Sequence, residues 1–366
     1  MKKLQGKRQR FEARRCRTAH LAAYLLGRVD VDMERKVRKG RKESFDWRPF
    51  DLVGPLRPLR SMAAVVAIVM STAACAPAVA PTGAPPTPQQ MAEFWTDPGS
   101  EPRSLFDGPG GANAPRPASD ARYEILSRDT RGFSITYKVR DERGREWHVK
   151  IGPEAQTEVV TARIVWALGY HELPSYFVER WIGVRHAKDE QFGGARFRPG
   201  DTGLKALGPW SWQQNPFVGT QPYDGLLVLL MILNGTDLKN ANNEVYEVLD
   251  GTRDHASRWY VLKDLGASLG ETGRFDPRRG DIDAFEREPF ILGVDRGRVR
   301  FGYQGRHQEL LRHITVDDVR WTCRRLQKIT DAQLRDAFRA GNFAEDVTAR
   351  YIARIHRKID EGLRLQ

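Results

Sequence analysis

The chain has 366 residues, with 59 lysines and arginines against 47 aspartates and glutamates, a formal net charge of +12. Eighteen of those cations and seven of the anions lie in residues 1–60, so the remaining 306 residues carry a net charge near +1 and no global field to gather a polyanion. A mean hydropathy of −0.56 excludes a polytopic membrane protein, and three widely spaced cysteines (Cys16, Cys75, Cys323) exclude a disulfide framework.

Residues 1–61 read as a basic extension. Behind Arg57 and Arg60 comes the apolar run Met62–Met70, then Ser71-Thr-Ala-Ala-Cys75. A positive flank, a short apolar stretch and small residues form the plan of a signal peptide, and the run is too short to span a bilayer. Thr72-Ala73-Ala74-Cys75 resembles the bacterial lipobox. That resemblance implies that residues 62–75 are a lipoprotein-type signal, that Cys75 carries a lipid anchor, and that the protein faces the periplasm or the exterior. With the segment unused, the address becomes cytoplasmic. The distance of this signal from residue 1 points to translation starting near Leu52 or Val53. Residues 76–121 hold ten of the 21 prolines up to position 120, amid Gly, Ala and Thr, and read as an extended linker.

The globular body is expected from 122 onward. Phe133–Arg140 alternates and is rich in β-branched and aromatic residues, which predicts a strand. Asp141–Gly144 predicts a turn and Glu146–Ile151 the returning strand. Pro153 suits the first turn of a helix running from about Glu154 to Leu168, stopped by Gly169. Strand-like pieces follow around Tyr176–Val184. Residues 186–222 read as loops. Gly225–Leu233 reads as a buried helix, Arg258–Leu262 as a strand, and the C-terminal third as helical. There, Thr315/Asp318 and Thr330/Gln333 open helices, and Val347, Tyr351, Ile355 and Ile359 stripe the last one. Strands first and helices later give an α+β order, with a small β-rich lobe over 122–215 and a helical lobe over 216–366.

The stretch Asn234–Asn243 follows the buried helix directly. Asp237-Leu238-Lys239-Asn240-Ala241-Asn242 has the spacing D-L-K-x-x-N, and Lys263-Asp264-Leu265-Gly266 ends the next predicted strand. Upstream, Lys150 sits on the second strand of a hairpin, and Glu154 and Glu158 lie one turn apart on the following helix. This set resembles the protein-kinase-like superfamily in its atypical branches, the phosphatidylinositol-kinase-like and HipA-type kinases, over about residues 122–330.

The resemblance implies a two-lobed fold that binds ATP and Mg2+. It places Lys150, partnered by Glu158, on the nucleotide phosphates, and Asn242 and Asp264 on the metal. Asp237 would orient the attacking hydroxyl and Lys239 would neutralise the transferring group. Hard oxygen ligands suit Mg2+, and phosphoryl transfer is catalysed mostly by positioning and charge neutralisation. Glu154 is an alternative partner for Lys150. Ser127–Ser134 sits where a phosphate-covering loop belongs, with Gly132 as its one glycine and the candidate nucleotide contact there. The departures are clear: no G-x-G-x-x-G loop, no histidine before Asp237, no A-P-E element, and only eight residues between Lys150 and Glu158.

The expected function is ATP- and Mg2+-dependent phosphotransfer to a hydroxyl on a protein or small molecule, with no nucleic-acid partner. The alternatives are a catalytically inactive kinase-like binding lipoprotein and a nucleotidyltransferase on the same fold. His307 and His313 are expected on the surface of a basic helix. Cys323, Trp166, Trp181, Trp210 and Trp212 are expected in the core or as loop anchors.

Overall fold

The computed structural model describes residues 84–366 apart from 100–102, 252, 254 and 274. The basic extension, the signal-like segment and Cys75 lie outside the described residues.

Seven strands build the first sheet: β1 (Arg122–Asp129), β2 (Ile135–Asp141), β3 (Glu146–Ile151), β4 (Tyr176–Val178), β5 (Trp181–Arg185), β6 (Lys188–Phe192) and β7 (Ala195–Pro199), in the order β4-β7-β3-β2-β1-β5-β6. All neighbours are antiparallel except β1 and β5. The β2–β3 turn forms because Asp141 accepts hydrogen bonds from the Arg143 and Arg145 amides and Gly144 takes a φ of +79°. Strand alternation then sorts the side chains. Tyr137, Val139, Trp147, Val149 and Phe197 join one core cluster. Register sets Lys150 opposite Arg196 and His148 opposite Arg198, so these four share the other face.

Helix α1 (Pro88–Ala92) precedes the sheet and α2 (Glu154–Ala167) follows β3. Helix α2 packs against β7 on one side and against α6 (Asp331–Ala340) on another, which explains why its charged as well as its apolar residues are buried. A second sheet joins β8 (Leu204–Gly208), β9 (Asn243–Val248) and β10 (Arg258–Leu262), with β9 central. The helical half comprises α3 (Gln221–Ile232), α4 (Ile282–Arg287), α5 (Val316–Leu326), α6 and α7 (Glu345–Leu363). Helix α3 is capped by Thr220 and buried from Tyr223 to Ile232, so its apolar run has no wet face to interrupt it. Helices α5 and α6 open on the expected capping boxes at Thr315/Asp318 and Thr330/Gln333. Cys323, Trp181, Trp210 and Trp212 are buried in the core, and Trp166 is half-buried against it.

Several expectations need correction. Residues 84–121 are not a bare linker. Thr87 caps α1 with a full capping box, Phe94 stacks on Phe217 with ring centroids 4.7 Å apart, and Leu105 is fully buried. The few apolar side chains here do the packing, while the Pro and Gly that dominate the composition shape the path. Residues 186–222 hold three strands. Strand β6 is polar along its exposed edge, and β7 spends alternate positions on arginines, so neither carries the usual hydrophobic alternation. The first sheet ends at Pro199, and β8 already belongs to the second. Ser127, Arg128 and Asp129 lie on β1, which leaves only residues 130–134 as a loop. The C-terminal third includes a hairpin, β11 (Ile291–Asp295) with β12 (Arg298–Phe301). His307 caps a 3-10 turn with a φ of +57°, and His313 sits 2.7 Å from Asp224, so neither lies on a basic helix.

Because Phe94 is a core residue, Phe94→Ala is expected to cost about 3–5 kcal/mol, read as a lowered urea midpoint. A linker residue would change stability by less than about 0.5 kcal/mol.

Candidate active site

Lys150 is the last residue but one of β3, on the face turned toward α2. Its Nζ lies 2.7 Å from Glu154 Oε2, 3.0 Å from Glu158 Oε2 and 2.9 Å from Asp264 Oδ1. Asp264 is 114 residues away in sequence, and it arrives from the segment that follows β10. Glu158 is fully buried and is also met by Arg196 Nε at 2.9 Å and Arg198 Nη2 at 3.0 Å. Burial opposes the charge on Glu158, but Arg196, Lys150 and Arg198 outweigh it and hold the carboxyl down at about 2. Burial likewise opposes the Lys150 ammonium, yet Glu158, Asp264 and Glu154 together keep it above the ordinary lysine range. Desolvation and then the nearby Glu158 charge raise the Asp264 carboxyl, with Lys150 offsetting part of that.

Glu154 is anchored on its own account. Arg279 Nε donates to it at 2.8 Å and the Ser134 hydroxyl at 3.0 Å. Both candidate partners of Lys150 are therefore in contact with it, and only Glu158 is also clamped by the β7 arginines. The glycine after Asp264-Leu265 has a steric cause: a Cβ on Gly266 would come 2.5 Å from Glu154 Cβ. Thr157 Oγ1 donates to the Gly266 carbonyl at 2.6 Å and ties the same segment to α2.

The Asp237 loop is fastened to the Asp264 segment through backbone hydrogen bonds. The Thr236 amide donates to the Ala267 carbonyl at 2.9 Å, and the Lys263 amide to the Asn242 carbonyl at 2.9 Å. Within the loop, Asn242 Nδ2 donates to the Asp237 carbonyl at 3.0 Å and to its Oδ2 at 3.1 Å. Lys239 Nζ lies 2.8 Å from Asp237 Oδ2, and Arg306 Nε lies 3.8 Å from Oδ1. Asp237, Asn242 and Asp264 line one small cavity.

Six of the seven residues singled out from the sequence thus fall into two linked groups: Lys150, Glu158 and Asp264, and Asp237, Lys239 and Asn242. Gly132 falls in neither. It is exposed in the β1–β2 loop, two residues before Ser134, and a Cβ there would meet only the Ser134 carbonyl at 3.5 Å. Nothing steric requires glycine at that position. Arg196, Arg198, Arg279 and Arg306 were not among the residues singled out. The first two had a signal in the alternation of Ala195-Arg-Phe-Arg-Pro199, whereas Arg279 and Arg306 reach the site from loops with no local pattern.

The fold is α+β, with a seven-stranded sheet first and a mainly helical part after it. No protein-family model matches the chain, and no curated protein matches it. Among solved structures, the chain is similar to the Helicobacter pylori proinflammatory kinase CtkA, with a TM-score of 0.41 at 11% identity over 68% of this chain and 97% of that one. It is also similar to the Golgi casein kinase with Mn/ADP bound, with a TM-score of 0.35 at 10% identity over 67% of this chain and 73% of that one. These likenesses are loose, and the chemistry of the site rests on its own contacts.

Glu158→Gln would leave three buried cations without their shared anion, at a cost of about 3–5 kcal/mol at neutral pH. A carboxyl held at about 2 against an ordinary 4.5 contributes stability that is fully present above pH 4.5 and lost as pH falls toward 2. Denaturant melts across that window are expected to show this acid loss in the wild type and its absence in the variant.

Proposed function

We propose that the chain is a kinase-like phosphotransferase that uses a nucleoside triphosphate and a divalent cation, moving the terminal phosphoryl group to a hydroxyl. The observation that carries this reading is the contact of Lys150 with both Glu158 and Asp264, beside a loop that presents Asp237 and Asn242.

The donor set fits such a metal. Among the described residues, no group of three or more His, Cys, Asp or Glu side chains is placed to hold an ion alone. Mg2+ is ordinarily bound through one or two protein oxygens and completed by phosphates and water. Asp264 offers a carboxylate and Asn242 an amide oxygen on the same cavity. A carboxyl already raised by its surroundings and by Glu158 is one that a further cation would relieve. When bound, the ion would neutralise charge on the phosphates.

The chain's own residues supply the rest. Lys150, fixed by Glu158, would hold the phosphates near Asp264. Asp237 would orient the acceptor hydroxyl and accept its proton, its carboxylate held in place by Asn242 and Lys239. Lys239, with Arg306 nearby, would offset negative charge gathering on the transferred group. The residue 130–134 loop is the nearest candidate for a phosphate cover, through Ser134 rather than through Gly132.

Millimolar Mg-ATP is expected to raise the melting temperature of the wild type by an amount that grows with ligand concentration. Asp264→Ala should abolish the rise. Asp237→Asn should keep it while cutting phosphate transfer to an acceptor about 10²- to 10⁴-fold. A wild type that shows no shift would overturn the proposal.

We also propose that Cys75 is the lipidated mature N-terminus, which would place this site outside the cytoplasm and restrict its phosphate donors. Mass spectrometry of the native protein should find a diacylated peptide starting at Cys75. Peptides from residues 1–50 in the mature protein would contradict it.

A further inference from the structure

A lysine ammonium has three N–H donors, and Lys150 has a carboxylate oxygen within 3.0 Å for each of them, from Glu154, Glu158 and Asp264. A phosphate can take this lysine only where one of the three withdraws. Glu158 has no exposed surface and is clamped from its other side by Arg196 and Arg198, so it stays. The Asp264 side chain is 37% exposed, the most open of the three, and is the carboxylate that the proposed metal would engage. Glu154 is left. The chemistry proposed above gives it no task, yet it is buried in the middle of the site.

The groups that hold Glu154 are the ones a phosphate needs. Its Oε2 faces the Lys150 ammonium at 2.7 Å and accepts from the Ser134 hydroxyl at 3.0 Å, and its Oε1 accepts from Arg279 Nε at 2.8 Å. An ammonium, a guanidinium and a hydroxyl that converge on one small oxyanion suit a phosphate as well as they suit a carboxylate. The remaining partner of Arg279, Asp276 at 3.1 Å, is a well-solvated carboxylate that leaves most of the arginine's charge for the buried side.

Arg279 and Ser134 reach this place from two loops. Ser134 ends the residue 130–134 loop and packs against Gly152, where the φ is +137° and a Cβ would come 3.2 Å from Ser134 Oγ. Arg279 lies on the stretch beyond Asp264, which folds back on itself: the Glu271 amide donates to the Arg278 carbonyl at 2.8 Å and the Gly280 amide to the Ser268 carbonyl at 3.1 Å. The two loops meet at the exposed Phe133, whose ring centroid lies 4.0 Å from the Arg279 guanidinium carbon. Together they cover Glu154 and Lys150.

We propose that the Glu154 carboxylate stands where a phosphate of the donor nucleotide binds, and that the nucleotide reaches Lys150, Arg279 and Ser134 by displacing it. This inference rests on the phosphotransferase reading above and adds two things to it. Arg279 and Ser134 become phosphate-binding residues, and the site carries its own competitor, which lowers nucleotide affinity. On displacement Lys150 keeps Glu158 and Asp264 and turns its third donor to the phosphate, so its direction is retained. One oxyanion replaces another, and the buried cations are never left unpaired.

Calorimetric titration of the full chain with Mg-ATP and with adenosine tests this. Glu154→Gln removes the competing charge and is expected to tighten Mg-ATP about tenfold while leaving adenosine, which has no phosphate, unchanged. Glu154→Ala gives the same comparison should the glutamine variant not fold. In the Glu154→Gln background the loss of an anchor for Glu154 no longer masks the loss of a phosphate contact. There, Arg279→Gln is expected to weaken Mg-ATP about tenfold and Ser134→Ala to weaken it less. Equal Mg-ATP affinity in the wild type and the Glu154 variants, or no effect of Arg279→Gln in that background, overturns the proposal and leaves the phosphotransferase reading standing. A tightening shared by adenosine marks a change unrelated to the phosphates and overturns it too. Mg-ATP bound by neither the wild type nor the Glu154 variants removes the phosphotransferase reading, and the proposal with it.

Discussion

Glu158 is a carboxylate with no exposed surface and three cations on it. Most of what positions the candidate site depends on that fact. A buried anion in an apolar lobe would protonate or unfold its surroundings, so it persists only while Lys150, Arg196 and Arg198 stay in reach. Those three residues come from two neighbouring strands, and Glu158 comes from the helix packed on them. The ion cluster therefore sets the spacing between sheet and helix. It also sets the direction of the lysine, which is left reaching toward Asp264 across 114 residues of chain. Removing any member leaves unbalanced charge in a dry place, which makes the arrangement all-or-none.

The second group is held by a different buried cation. Lys358 on α7 is fully buried, with its Nζ 2.8 Å from the Ile232 carbonyl and 2.6 Å from Asn234 Oδ1. Burial pulls its ammonium well below the ordinary lysine range, and the ring of Phe285 lies 4.3 Å away. Asn234 in turn donates to the Gly270 carbonyl at 2.7 Å and takes a φ of +53°, a conformation that asparagine tolerates better than most residues. The end of α3 is thus turned sharply and pinned to the stretch beyond Asp264 just before the Asp237 loop begins. The last helix of the chain braces the start of that loop through Lys358.

Much of this was legible in the residue order. The β2–β3 hairpin, α2, α3 and the capped helices α5 and α6 follow from alternation, from an apolar run and from capping residues, all local signals. The set Lys150, Glu158, Asp237, Lys239, Asn242 and Asp264 was legible because spacing along the chain and element type agree. The rest was not. Strand β7 reads as polar because its arginines are buried by an anion on another element. Strand β6 is an exposed edge without alternation. Phe94 and Leu105 are isolated apolar residues in a Pro/Gly context, and only their partners Phe217 and the helical core make them core residues.

The sequence by itself determined which residue types stand at which spacings, and with them the α+β order and the six side chains that the fold gathers into two linked groups. Local propensity and pattern are enough for that, because they act over a few residues. Only the tertiary structure decided that Lys150 holds both Glu154 and Glu158, that Arg196 and Arg198 neutralise one and Arg279 the other, and that Gly132 has no steric reason to be glycine. Those are questions of charge balance in a desolvated volume. The balance depends on every group brought within a few ångströms, and no single stretch of chain contains them all.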